Sequence, residues 1–240
     1  MKKSAFFLAA LCSGSLLVAS CNSDKTADTT ATTTETTTPD ATASGDMAGM
    51  DHSKMAEGGT AGDSPLVASM NDMMAKMNAM KMKGNTDHDF AHHMLEHHKG
   101  AVAMADIELR DGKDATMRQM AEKIKADQLK EITELEAVAT RLDSAPTNYK
   151  PNDPADPFTS KMKASMDGMM QNMPKPVANP DMNFNMLMTV HHQSAVDMAQ
   201  AELAHGKDTK LKEMAQMMIT AQEKEIADFK AWHDKNTDKM

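Results

Sequence analysis

Only two cysteines, Cys12 and Cys21, occur in the 240 residues. Everything beyond Cys21 therefore lacks a thiol, which excludes disulfides and thiolate metal sites from the body of the chain. Soft-metal chemistry falls to thioethers and imidazoles. Long apolar runs are missing too. The apolar stretch at residues 5–17 falls short of the about 20 residues that a membrane-spanning helix needs. No segment alternates convincingly with the two-residue period of a half-buried strand. No phosphate-cradling Gly loop and no nucleophile–base pair is evident. Basic residues are in deficit, with Lys+Arg 26 against Asp+Glu 35 and a net charge of −9. Such a chain is a poor nucleic-acid binder and a plausible cation binder. Leucine, normally among the commonest residues, is scarce: 13 Leu stand against 27 Met. Met fills irregular cores and is also a soft ligand for Cu(I), so composition alone leaves both readings open.

The N-terminus reads as an export signal. Lys2 and Lys3 precede the apolar stretch, which ends in Leu17-Val18-Ala19-Ser20-Cys21. Charge, apolar core, small residues and cysteine fall at the spacing of a lipobox. The expectation is a lipoprotein signal peptide over residues 1–20 with lipid carried on Cys21. That would place the protein in the cell envelope, anchored to a membrane at the periplasmic face or the outer membrane. Residues 21–63 read as a disordered Thr-rich tether with almost no large apolar side chain to bury. Methionines in such a segment cannot be explained by core packing. Met47, Met50, His52 and Met55 form an M-x2-M-x-H-x2-M cluster, whose thioethers and imidazole suit Cu(I).

From Ser64 to residue 236 the chain reads as one helical domain built twice, with repeats at 64–142 and 158–236. A shift of 94 residues aligns 87–138 with 181–232 without a gap, giving 21 identities in 52 positions. A looser echo relates SMNDMMAKM at 69–77 to SMDGMMQNM at 165–173. Each half reads as a short Met-rich helix followed by a helical hairpin, and the proline-rich stretch 145–158 links them. Gly112 and Gly206 suit C′ positions, and Asp114 and Asp208 suit the N-caps that follow. Two hairpins with apolar stripes are expected to bury them against each other as an all-α four-helix bundle.

The matching residues share one face. Phe90, Met94, His97, Ala101, Met104 and Glu108 follow a 4-3-4-3-4 spacing, and Phe184, Met188, His191, Ala195, Met198 and Glu202 repeat all six. His98 and His192 lie on the adjacent stripe. On the next helices Gln128 and Glu131, repeated as Gln222 and Glu225, interrupt apolar stripes led by Met120 and Met214. Folding at Gly112-Lys113 brings His97 level with Gln128, and Met94 with Glu131. Buried together, such groups must satisfy one another or hold something. The candidate metal ligands are thus His97, His98, His191, His192, Met94, Met104, Met188, Met198, Glu131 and Glu225, with Gln128 and Gln222 behind them. A His–Glu–Gln network that sets hairpin register is the competing reading.

The doubled F-x3-M-x2-HH-x2-AV-x-MA pattern, each copy followed by Q-x2-EI, resembles the bacterial family known as domain of unknown function 305. The resemblance spans about residues 80–235. It implies a ferritin-like helical bundle in an exported protein, and some members are associated with periplasmic copper binding. Three functions follow for comparison. The first is envelope copper binding, Cu(I) or Cu(II), for tolerance or storage, with zinc second. The second is a metal-free interaction or stress module with structural histidines. The third is a ferritin-like redox enzyme, which would need repeated Glu-x-x-His motifs. Only Glu202-x-x-His205 has that form, because its counterpart is Glu108-x-x-Asp111.

Overall fold

The computed structural model describes residues 64–239. The expected signal peptide, Cys21 and the Met47/Met50/His52/Met55 cluster lie outside the described residues.

Helices start where short polar side chains and prolines dictate. α1 (Pro65–Ala79), α4 (Pro157–Gln171) and α5 (Pro180–His205) each carry proline in the first two helical positions, where its fixed φ is pre-organised and its missing N–H is no loss. α2 (Thr86–Asp111) is capped by Asn85, whose side chain accepts from the His88 N–H at 3.1 Å. α3 (Ala115–Leu142) and α6 (Thr209–Asn236) are capped by Asp114 and Asp208, as the sequence predicts. α2 and α5 both have 26 residues, α3 and α6 both have 28, and α1 and α4 both have 15. A final 3-10 turn covers Thr237–Lys239. All regular structure among the described residues is helical, and none of these helices is long and apolar enough to cross a membrane.

The architecture is a four-helix bundle. α2 pairs with α3 and α5 with α6 as hairpins, and α2 packs on α5 to join them. α1 lies on α2, and α4 lies on α5. The buried faces of α1 and α4 correspond at a shift of 92: Leu66 with Phe158, Met70 with Met162, Met73 with Ser165, Met77 with Met169. The echo at 69–77 suggests a shift of 96 instead. The difference is one helical turn, which keeps residues on the same face, so a slipped match still looks like a match. Volume is exchanged across this contact. Gly100 packs so closely on Met73 that a Cβ would meet its Sδ at 2.4 Å. The corresponding pair is Ser194 and Ser165, whose hydroxyls hydrogen-bond at 2.8 Å.

Reciprocal carboxylates lock the halves together. Asp87, in the first turn of α2, accepts from Lys207 N–H at 2.7 Å and Asp208 N–H at 2.6 Å in the α5–α6 turn. Asp181, in the first turn of α5, accepts from Lys113 N–H at 2.8 Å and Asp114 N–H at 2.7 Å in the α2–α3 turn. The carboxyl of Glu108 lies against Asp181, and that of Glu202 against Asp87. Burial and the neighbouring aspartate push each glutamate up to about 9, so both are protonated at neutral pH. The turn glycines serve this arrangement. Gly112 and Gly206 are C-caps with φ of −67° and −63°, not left-handed C′ residues. They are glycines because a Cβ would lie 2.1 Å from Glu108 Oε1 or 2.0 Å from Glu202 Oε1.

The proline-rich stretch between the halves is tied to the start of α2. Gly84, at φ 88°, offers its carbonyl to the N–H groups of Asn148 and Tyr149 at 2.7 and 3.1 Å. The positive φ is the conformation that glycine adopts without strain.

Candidate metal centre

Where α2 crosses α5, His97 and His191 meet. Their rings lie 3.7 Å apart between centroids at an interplanar angle of 36°, and the His191 Nε2–H donates to the His97 carbonyl at 3.0 Å. His98 and His192 flank them. All four imidazoles are 0 % exposed. Met94, Met104, Met188 and Met198 are also fully buried on the same two helices.

The glutamates stand outside the imidazoles. Glu131 pairs with His98 Nε2 at 2.7 Å, and Glu225 with His192 Nε2 at 3.0 Å. The sequence reading puts Met94, not His98, level with Glu131. The offset has a geometric cause. Side chains on a helix lean toward its N-terminus, so in an antiparallel pair His98 leans away from the turn while Glu131 leans toward it. Glu225 is further held by Lys123 of the other half, Nζ to Oε1 at 2.8 Å. Burial raises its pKa, but His192 and Lys123 outweigh this and hold it below the usual carboxylate value.

The inner ring nitrogens are poorly satisfied. His97 Nδ1 and Nε2, His98 Nδ1, His191 Nδ1 and His192 Nδ1 are buried without a hydrogen-bond partner. Gln128 Oε1 and both polar atoms of Gln222 are likewise unpaired. Burial, then the neighbouring imidazoles, holds His97 and His191 well below the ordinary histidine value, so both rings are neutral at pH 7. Neutral imidazole is the form that ligates metals. A cleft of about 150 Å³ between α3 and α6 reaches this layer, lined by Gln128, Glu131, Gln222, Glu225, Met214 and Met218.

One stripe differs from expectation. Met117 and Ala121 are buried on α3, whereas Met120 sits half-buried at the edge; its counterpart Met214 is buried. The sequence reading also passes over one group. His88, His92 and Asp143 bring three donor atoms within 4.8 Å of one another at the far end of α2. Only the i, i+4 spacing of His88 and His92 hints at it in the sequence.

The family described as "Domain of unknown function (DUF305)" matches the chain twice, over residues 19–139 and 87–233. The chain belongs to this family. The two matches end 94 residues apart, which is the repeat length. No curated protein matches the chain. Solved structures with a similar outline include CopM in its Ag-bound form, at 24% identity over 62% of this chain and 95% of that one, TM-score 0.47. CopM in the Cu(I)-bound form matches at 24% identity over 62% and 96%, TM-score 0.47. A DUF305 fragment from Deinococcus radiodurans matches at 25% identity over 62% and 96%, TM-score 0.46.

Proposed function

We infer that this protein binds copper in the cell envelope, anchored through lipid on Cys21, for tolerance or storage rather than catalysis. The observation that carries the reading is the buried imidazole layer. Five ring nitrogens of four fully buried histidines have no hydrogen-bond partner. An unsatisfied buried donor or acceptor costs about 1–3 kcal/mol, so a fold with this many gains from a ligand that takes up the lone pairs. Imidazole with nearby thioether is a soft-to-borderline donor set that favours Cu(I). Met47, Met50 and Met55, beside the imidazole of His52, offer a second thioether set that is insensitive to pH, because thioethers do not compete with protons.

A structural role for the histidines has its own support. The His98–Glu131 and His192–Glu225 pairs each tie a hairpin together at a defined level. The redox-enzyme reading lacks its repeated motif, because only Glu202-x-x-His205 has the Glu-x-x-His form.

Competition of the full-length protein with a Cu(I) chelator separates the readings. His97→Gln/His191→Gln should lower Cu(I) affinity at least 100-fold at the core while leaving the helical circular dichroism intact. Replacing Met47, Met50, His52 and Met55 should remove a further Cu(I) equivalent that survives at pH 5. Unchanged copper uptake in a chain lacking both sets would leave the structural module as the better account.

A further inference from the structure

The geometry points to a second metal site at the solvent-facing end of α2, where His88, His92 and Asp143 bind one borderline divalent cation, Cu(II) or Zn(II). The inference does not depend on copper binding in the bundle core.

His88 and His92 are one helical turn apart on α2, with ring centroids 4.3 Å apart. Asp143 caps the C-terminus of α3, which returns beside the start of α2. His88 Nε2 and His92 Nε2 face the same Asp143 oxygen, at 3.5 and 3.6 Å. Zinc–ligand bonds of about 2.0–2.2 Å in a tetrahedral shell place donor atoms roughly 3.3–3.5 Å apart. Both histidine-to-Asp143 spacings therefore already match a shared cation, and all three donors lie within 4.8 Å of one another.

The neighbouring carboxylate decides which His88 nitrogen is available. Asp89 is buried, and its oxygens accept from Lys83 N–H at 2.9 Å, Gly84 N–H at 2.8 Å and the Tyr149 hydroxyl at 2.7 Å. It also accepts from His88 Nδ1–H at 2.7 Å. With the proton on Nδ1, the His88 Nε2 lone pair points at Asp143, where it meets an anion instead of a donor. His92 Nε2 is buried and has no hydrogen-bond partner. Two imidazole nitrogens turned toward one carboxylate oxygen without hydrogen bonds are resolved by a cation between them. Carboxylate–histidine–metal is the relay by which outer groups orient metal-binding imidazoles, and Asp89 acts here as a positioning residue.

Accessibility separates this site from the core. The His88, His92 and Asp143 side chains are 13%, 33% and 63% exposed, and they line a cleft of about 240 Å³ together with Met80 and Met82. Water from this cleft would fill a fourth position on the cation. Among the described residues the group also occurs once. Its counterparts 94 residues on are Met182, Met186 and Thr237, so one equivalent per chain is expected.

The test is a Zn(II) titration, repeated with Cu(II), of the full-length protein against a competing chelator. Wild type should show one site that His88→Gln/His92→Gln weakens at least 100-fold. Asp143→Asn, at an exposed position away from the core, should weaken it about 10-fold without a change in circular dichroism. Zn(II) should shift the ¹⁵N resonances of the His88 and His92 rings, and Cu(I) uptake by the core should be unaffected in these variants. The inference is overturned if Zn(II) and Cu(II) bind the histidine variant as tightly as wild type, or leave those ring resonances unmoved. Should the histidine variant fail to fold, an unchanged affinity in Asp143→Asn overturns it equally.

Discussion

Replacing Glu202 by glutamine should stabilise this protein at alkaline pH. Glu202 is 0 % exposed and lies against the Asp87 carboxylate. Its pKa in the folded chain is about 9, against 4.5 for an ordinary glutamate. A carboxyl whose pKa is raised by folding contributes its stability in full below the unfolded value. That stability is lost as pH rises through the folded value, because folding must take up a proton that the unfolded chain has released. Each pH unit in that window costs about 1.4 kcal/mol. At pH 8 the window has been crossed by 3.5 units from 4.5, an upper figure of about 5 kcal/mol. Glutamine keeps an N–H donor toward Asp87 and needs no proton.

Allowing for an imperfect amide fit, Glu202→Gln should gain about 2–4 kcal/mol at pH 8, or roughly 6–12 °C in Tm for a domain of this size. At pH 4.5 the gain should vanish. Thermal melts by circular dichroism at both pH values provide the assay, and Glu108→Gln should behave alike toward Asp181. Equal or lower Tm at pH 8 in both variants would refute the buried carboxylic acid and leave Glu202 as an ordinary ionised group.

Four further outcomes follow from the geometry. In the Glu108→Gln/Glu202→Gln background, stability should fall below pH 6.5 by up to about 2.7 kcal/mol per pH unit. The unfolded chain then protonates both histidines while buried His97 and His191, with lowered pKa, resist; a flat denaturant-melt profile from pH 6.5 to 5 would count against their burial. Gly112→Ala should cost about 2–3 kcal/mol, read by urea melts, because the new Cβ would lie 2.6 Å from the Glu108 carbonyl oxygen, which is backbone and cannot yield. Gly100→Ser should destabilise by about 1–3 kcal/mol, and adding Met73→Ser should recover part of that loss by recreating the Ser165–Ser194 pair. Glu131→Gln and Glu225→Gln should each lose about 1–2 kcal/mol, with Glu225→Gln costing slightly more because Lys123 loses one of its two carboxylate partners and keeps only Asp127.

Much of the fold is legible in the sequence because a gapless 94-residue repeat over two helices admits one simple solution. The matching residues share a face, that face is buried, and Asp114 and Asp208 stand where helix starts need them. What is misread has physical causes. The register of α1 against α4 slips by one turn because a helix presents nearly the same face after four residues. His98 takes Glu131 in place of Met94 because side-chain lean is invisible in residue numbering. Gly112 and Gly206 look like left-handed caps, but their need for hydrogen in place of Cβ comes from a glutamate folded back on the turn. The His88–His92–Asp143 group is hidden for a different reason. A repeat directs attention to what matches, and this group is made of residues at which the halves differ.

The two halves therefore divide their sequence by consequence. Positions that face the other half are held in pairs. Asp87 ties down the turn at 207–208 while Asp181 ties down the turn at 113–114, so loss of either aspartate unlocks the opposite hairpin. His97 and His191 are likewise each other's packing surface, and neither can be exchanged without changing the other's environment. Positions that face only their own half have no such tie. There a Met–Gly contact in one half is a Ser–Ser contact in the other, and the end of α2 carries two histidines where α5 carries two methionines. Between the two halves, shared contacts keep the sequences alike, and positions outside those contacts are free to differ. Ligands that occupy the shared layer should then bind at a site contributed equally by both halves, and a ligand held at the outer end of α2 should bind to one half alone.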